Sequence, residues 1–195
     1  MNTLYPIFIK TENINILIVG GGSVATEKIR FILKNSPNAN ITLVAKEISA
    51  EIRKQSRNHK TLVLMEKAFE ENDLNNMQLC IAATANKELN HQIYLDAKQR
   101  KVLVNVADTP ELCDFYLGSI VTKGDLKIAI STNGKSPTLS KRLREFFETI
   151  LPENINDLLE NLHEYRSSIK GSFEEKVNAL NEITKSFVSK NNNEL

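Results

Sequence analysis

The sequence predicts an α/β fold, a doubly wound parallel sheet followed by a small α+β segment and a helical C-terminal module. Three observations carry this. Five short apolar runs, the first of them β-branched, alternate with helix-sized segments over roughly the first 110 residues, three glycines stand at the first strand-to-helix junction, and the alternation stops near Pro110.

Asn15-Ile-Leu-Ile-Val19 reads as the first strand, and Val24 to Leu33 spaces its apolar residues at helical intervals. A strand at Ile41 to Val44, a helix at Ser49 to Gln55, and strands at Leu62 to Met65 and Leu79 to Ala83 follow. A helix at Glu88 to Arg100 and a strand at Leu103 to Val106 close the series. Strands separated by helices must pair in parallel, because each crossover needs a helix to carry the chain back over the sheet. Beyond Pro110, Ser119 to Thr122 and Leu126 to Ile130 flank Lys123-Gly124-Asp125 as a hairpin. A polar loop, Ser131 to Pro137, leads into a helix bearing Leu139, Leu143, Phe147 and Ile150, which Pro152 ends. Ile155, Leu158, Leu159 and Leu162 mark another helix, and Phe173, Val177, Leu180 and Phe187 a last one, separated by Gly171. These stripes must be buried against a small helical module or a subunit partner. Lys190 to Leu195 has nothing to bury, and a disordered tail is expected there.

With 195 residues and 41% apolar content, the chain can bury one ordinary core and a smaller appendage. Its 25 Lys and Arg nearly balance 24 Asp and Glu, and a net charge of +1 gives no overall field to recruit nucleic acid or an anionic membrane. Neither is an expected partner. The apolar runs are strand-sized, below the roughly 20 residues of a membrane helix. Cys80 and Cys113 lack metal-ligand spacing, and no charged-then-apolar leader precedes Ile14, so the expectation is a reduced, cytoplasmic protein.

Gly20-Gly-Gly22-Ser-Val-Ala25 matches G-x-G-x-x-A between a strand and a helix, the phosphate-binding turn of a Rossmann-type dinucleotide domain. Gly20 permits the sharp turn, Gly22 lets backbone approach a pyrophosphate, and Ala25 lets the helix pack close to the strand. The helix N-terminus offers its amides to the anion. The acid expected about 20 residues on is replaced by Val44-Ala45-Lys46-Glu47. Glu47 is in reach of a ribose hydroxyl, whereas Lys46 favours a 2′-phosphate, so the residues leave NAD only slightly ahead of NADP. Ala83 and Thr84, among the small residues ending the fourth strand, leave room for a ligand crossing the sheet edge, or serve close helix packing.

Val104-Asn105-Val106-Ala107 carries a strand into Asp108 at the same edge. Taking two hydrogens from a substrate sends a hydride to a nicotinamide and leaves a proton that needs a base. Asp108 is the candidate catalytic residue, with a turn or cap before Pro110 as its structural alternative. His59, His91 and His163 stand at no strand end.

Several segments together make the chain resemble the precorrin-2 dehydrogenase and sirohydrochlorin ferrochelatase family, which includes the N-terminal half of bifunctional sirohaem synthases. They are Tyr5-Pro-Ile-Phe8, Val19-Gly-Gly-Gly-Ser-Val-Ala25, Ile81-Ala-Ala-Thr84, Val104-Asn-Val-Ala-Asp108, and Ile130-Ser-Thr-Asn-Gly-Lys-Ser-Pro137 with Leu139 and Arg142. The resemblance spans roughly Tyr5 to Pro152. It implies a Rossmann domain over 1–113, a dimerisation segment over 114–151 that exchanges strands and helices within a homodimer, and a small helical domain over 152–189, ahead of a tail at 190–195. NAD is the implied cofactor, with Ser23, Val24, Lys46 and Glu47 as contacts and Asp108 as the essential acid. The implied reaction oxidises precorrin-2 to sirohydrochlorin, and some members then insert ferrous iron. Some members carry a phosphoserine at the position of Thr132. The sequence as given ends short of the methyltransferase half of the bifunctional enzymes, so synthesis of precorrin-2 is not expected of it.

A tetrapyrrole bearing many carboxylates calls for cations, and Lys123, Lys135, Lys141, Arg142 and Arg144 gather around the hairpin, the loop and the following helix. Thr132, Asn133, Lys135, Ser136 and Arg142 are the candidate substrate contacts, with a solvated helix face as the plainer reading of the cations. No His, Cys and acid set stands at zinc- or iron-binding spacing, so no resident metal is expected. Cys113 is read as a plain thiol in preference to a substrate contact. A non-enzymatic NAD-sensing module and an oxidoreductase acting on another small metabolite remain the alternatives, since one fold hosts many functions.

Overall fold

The computed structural model describes residues 2–185, so the predicted reach of the last helix to Phe187 and the tail at 190–195 lie outside the described residues. Five parallel strands form the main sheet: β1 (Asn15–Val19), β2 (Asn40–Ala45), β3 (Leu62–Glu66), β4 (Leu79–Ala82) and β5 (Leu103–Val106), in the spatial order β3-β2-β1-β4-β5. Ile16 stands beside Ile41 on one side and Leu79 on the other, a register that brings the carboxyl ends of β1, β4 and β5 to one edge.

Period-two alternation assigns the two faces. Ile16 and Ile18 of β1 and Ile41 and Leu43 of β2 pack with Ala25, Ile29 and Leu33 of α1 (Ser23–Asn35) and Ile52 of α2 (Ala50–Asn58). The intervening Leu17, Val19, Cys80 and Val104 pack with Ile93 and Ala97 of α3 (Lys87–Gln99) on the opposite face. Helices on both faces make the sheet doubly wound, and the strand order reverses between β1 and β4, where such folds bind their ligands.

Most elements begin or end where the sequence places them. Ser49 stands just outside its helix as N-cap, its hydroxyl accepting from the Ile52 amide at 3.4 Å. The same helix runs past Gln55 to Asn58, a polar turn that carries no apolar period to announce it. Asn86 caps α3 in the same way. Three single turns of 3-10 helix, Thr11–Asn13, Glu71–Leu74 and Pro110–Leu112, have no counterpart in the sequence reading, being too short to show a period.

The chain divides into two compact units. The first is the parallel-sheet unit up to Gly118, together with the loop Ser131–Pro137; the second comprises Ser119–Ile130 and the chain from Thr138 onward. In the second, β6 (Ser119–Lys123) and β7 (Leu126–Ile130) form an antiparallel hairpin turning at Gly124, φ +53°. The Asn156 side chain accepts from the Asp125 amide at 2.9 Å, and Lys123 Nζ donates to the Leu151 carbonyl at 2.5 Å and to Glu153 at 2.7 Å. Helices α4 (Pro137–Ile150), α5 (Ile155–Ser168) and α6 (Phe173–Thr184) complete it, α6 starting at a reciprocal Ser172–Glu175 capping box just after Gly171. Among the described residues its buried side chains are few, Val121, Ser140 and Ile155, while Leu139, Phe146, Ile150 and Phe173 stand exposed. No helix among the described residues is long and apolar enough to cross a membrane.

Candidate functional site

The glycine turn links β1 to α1 and is shaped by what surrounds each glycine. At Gly20, φ is +127°, and a Cβ would lie 2.3 Å from the Ala83 carbonyl oxygen, so both conformation and space demand glycine. At Gly21 a Cβ would lie 1.9 Å from the Glu47 carbonyl oxygen. This middle position, free in the sequence motif, is thus set by the chain leaving β2, a contact no spacing rule reports. Gly22 differs: nothing stands within 4 Å of where its Cβ would project. Its open face adjoins the first turn of α1, where no side chain caps the amides. An anion-sized space beside unclaimed donors is the form a pyrophosphate requires, and Ser23 and Val24 open that helix.

Hydrogen bonds fix the turn from behind. The Gly20 amide donates to Val44 at 2.9 Å, the Ser49 amide to Gly21 at 3.1 Å, and the Thr26 hydroxyl to the Gly22 carbonyl at 2.9 Å. Thr26 and Ser49, whose hydroxyls lie 3.3 Å apart, belong to the turn's support, a role the sequence reading missed. At the end of β2, Ala45 is buried and Lys46 and Glu47 are exposed. Ala83 and Thr84 form the facing wall, with Thr84 held by the buried Asn90 of α3.

Asp108 follows β5 at the same sheet edge, with β4 between β5 and β1. Its φ of +59° is left-handed, the Thr109 amide closing the turn on the Val106 carbonyl at 3.2 Å. A non-glycine residue in that region costs free energy, though aspartate tolerates it better than most. The side chain is exposed, and among the described residues no hydrogen bond or ion pair to its carboxylate is found. Behind it, Cys113 Sγ receives the Val106 amide at 3.3 Å and lies 3.3 and 3.4 Å from the Val106 and Thr109 carbonyls. Burial pushes this thiol up, the nearby Asp114 and Glu111 charges adding to the effect against a hydrogen bond to Val106 that lowers it. Cys113 therefore ties the turn as a neutral thiol. Cys80, deep in β4, is pushed up to about 12 by burial.

The loop Ser131–Pro137 is wound around Thr132, whose hydroxyl accepts from the Ser136 amide and lies 3.1 Å from the Ser136 carbonyl. Asn133 and Gly134 are left-handed, which presents Lys135 to solvent. In the second unit, Arg142 and Arg144 pair with Glu145 and Glu148, and Lys123 with Glu153. Arg142 draws Glu145 below the ordinary carboxylate range, chiefly through their hydrogen bond. Among the described residues Lys135 has no such acidic partner, and no group of three His, Cys, Asp or Glu stands together as a metal would need. His91 and His163 sit on α3 and α5, and His59 at the end of α2.

A nucleotide-ready turn at the switch point of a doubly wound sheet defines the class, an NAD(P)-binding α/β domain. A family model for NAD(P)-binding domains matches residues 7–119, and one for the central part of sirohaem biosynthesis proteins matches residues 123–149. The chain belongs to the precorrin-2 dehydrogenase and sirohydrochlorin ferrochelatase family. It is 41% identical over 165 residues to the siroheme synthase of Psychromonas ingrahamii, covering 85% of this chain and 34% of that protein. With the siroheme synthase of Psychrobacter arcticus the identity is 39% over 170 residues, covering 87% and 30%. The chain thus spans about a third of the length of these relatives. The solved structure of SirC, precorrin-2 dehydrogenase, is similar at a TM-score of 0.71 and 30% identity, covering 92% of this chain and 89% of that one.

Proposed function

We propose that this protein oxidises precorrin-2 to sirohydrochlorin with NAD, releasing NADH and a proton. The observation that carries the reading is the exposed, unpaired Asp108 carboxylate held at a left-handed turn, two strands from the glycine turn and roughly 10 Å away at ordinary strand spacing. When bound, NAD supplies the two-electron acceptor for a hydride. Gly20, Gly22, Ser23 and Val24 hold its pyrophosphate by backbone approach and helix amides, and Ala83 and Thr84 wall the cleft. Glu47 meets a ribose hydroxyl. A preference for NADP in parallel assays would transfer that role to Lys46. Asp108 takes the proton left on the substrate as the hydride departs, and its exposure lets it pass that proton to water.

The substrate's carboxylates are assigned to Thr132, Asn133, Lys135 and Ser136 of the loop and, as a separate assignment, to Arg142. The exposed apolar side chains of the second unit support a homodimer, since an isolated two-stranded hairpin with so few buried neighbours needs a further surface to be stable. Two free thiols suit a reducing cytoplasm.

Incubation with enzymatically generated precorrin-2 and NAD is expected to raise the absorbance of sirohydrochlorin and NADH in equal amounts. No turnover beside an active control enzyme would instead favour a non-catalytic NAD sensor. Ferrous iron supplied to preformed sirohydrochlorin tests separately whether the protein also releases two ring protons and seats the metal.

A further inference from the structure

We propose that Asn90 is a positioning residue for dinucleotide binding, acting through Thr84 on the wall of the glycine turn; the inference rests on the NAD-binding reading above. Asn90 is 6% exposed, a polar side chain on the buried face of α3 with Ile93 and Ala97 one and two turns on. An amide there is costly unless it is hydrogen-bonded. Its bonds all converge on one residue. Oδ1 accepts from the Thr84 amide at 3.2 Å and from the Thr84 hydroxyl at 2.6 Å, and Nδ2 donates to the Thr84 carbonyl at 3.0 Å. Residue 84 is therefore clamped through its amide, carbonyl and hydroxyl together.

The clamp matters because of what Thr84 adjoins. The Ala83 carbonyl carbon and oxygen and the Thr84 nitrogen are the three nearest atoms to the missing Cβ of Gly20, at 2.7, 2.3 and 3.1 Å. The peptide joining residues 83 and 84 lies flat against the phosphate-binding turn. Its carbonyl is kept beside Gly20 and out of the space in front of Gly22 only while the peptide keeps its orientation. Rotation would move that carbonyl from its place against Gly20 and reshape the turn, and Asn90 opposes it through its three bonds to Thr84. The residue shares no motif spacing with the glycines, yet an amide on an otherwise apolar helical stripe at 90, 93 and 97 was a signal available in the sequence.

The test titrates NADH into the full chain by fluorescence and follows precorrin-2 oxidation. Asn90→Ala is expected to weaken NADH about tenfold while the KM for precorrin-2 stays within twofold. Thr84→Val, which deletes the 2.6 Å bond to Asn90 together with the hydroxyl's contacts to the Asn86 backbone, is expected to weaken NADH about threefold. Thr84→Ser, which restores the hydroxyl, is expected to bind as the parent does. Should Asn90→Ala fail to fold, the Thr84 pair decides alone: equal affinity for Val and Ser overturns the proposal. Unchanged NADH affinity in a folded Asn90→Ala protein also overturns it, and so does a matching rise in the precorrin-2 KM, which would mark general damage. If Gly20→Val abolishes NADH binding while Asn90→Ala leaves it intact, the clamp falls and the NAD-binding reading stands. A parent protein that binds no NADH removes both.

Discussion

Two turns at one edge of the sheet, the glycine turn after β1 and the Asp108 turn after β5, show opposite solutions to the same backbone problem. Both leave a parallel strand through a left-handed residue, at φ +127° and +59°. At Gly20 the side chain is absent because neighbouring backbone fills its place. At Asp108 a side chain is kept in a conformation glycine would adopt more cheaply, and it reaches solvent without a partner among the described residues. The first turn is shaped to be approached by a ligand and the second to present a charge. On the proposed reading binding and proton transfer are separable, and variants at the two turns are expected to fail differently.

Asp108→Asn keeps the left-handed backbone, which asparagine also tolerates, and removes the proposed base. Turnover of precorrin-2 is expected to fall by about 10²–10⁴, read as kcat in the absorbance assay, with the melting temperature unchanged. Gly20→Val is expected to do the reverse of a clean chemical lesion. It forces a β-branched residue into a forbidden conformation against Ala83, at a cost of about 1–3 kcal/mol or more in stability, and weakens NADH by roughly 100-fold; thermal melts and fluorescence titration measure both.

Lys135→Ala and Arg142→Ala change no residue of either turn. Each alone is expected to raise the precorrin-2 KM by about threefold, and together by about tenfold, with kcat and NADH affinity unchanged. An unmoved KM in the double variant would return both cations to the solvated surface. The smallest effect concerns Cys113. Because its thiol is raised, only the neutral form is populated at neutral pH, and the thiolate gains population only above the range of a free cysteine. Iodoacetamide is expected to label native Cys113 several-fold more slowly than free cysteine at pH 8, the rate climbing with pH, and Cys80 only upon unfolding.

The main sheet was legible because its strands are short apolar runs and its helices long enough to show a period. The glycine motif and Asp108 were legible because each stands at a junction. What sequence reading missed is held by contacts that no motif spacing reports: Gly21 is dictated by the Glu47 carbonyl from another strand end, and Asn90 by Thr84 in the loop just before its helix. Cys113 was read as a plain thiol, and its part in the Asp108 turn depends on a loop that doubles back along β5. The stripes of α4 and α6 were readable as stripes. Which surface covers Phe146 or Phe173 was not, since amphipathicity names a buried face without naming its partner.

The division between the two turns is tested most directly by titrating NADH into Asp108→Asn beside the parent protein. The two dissociation constants are expected to agree within twofold while the variant has lost turnover. A dissociation constant weakened tenfold or more would place the aspartate in cofactor binding and contradict its role as the base.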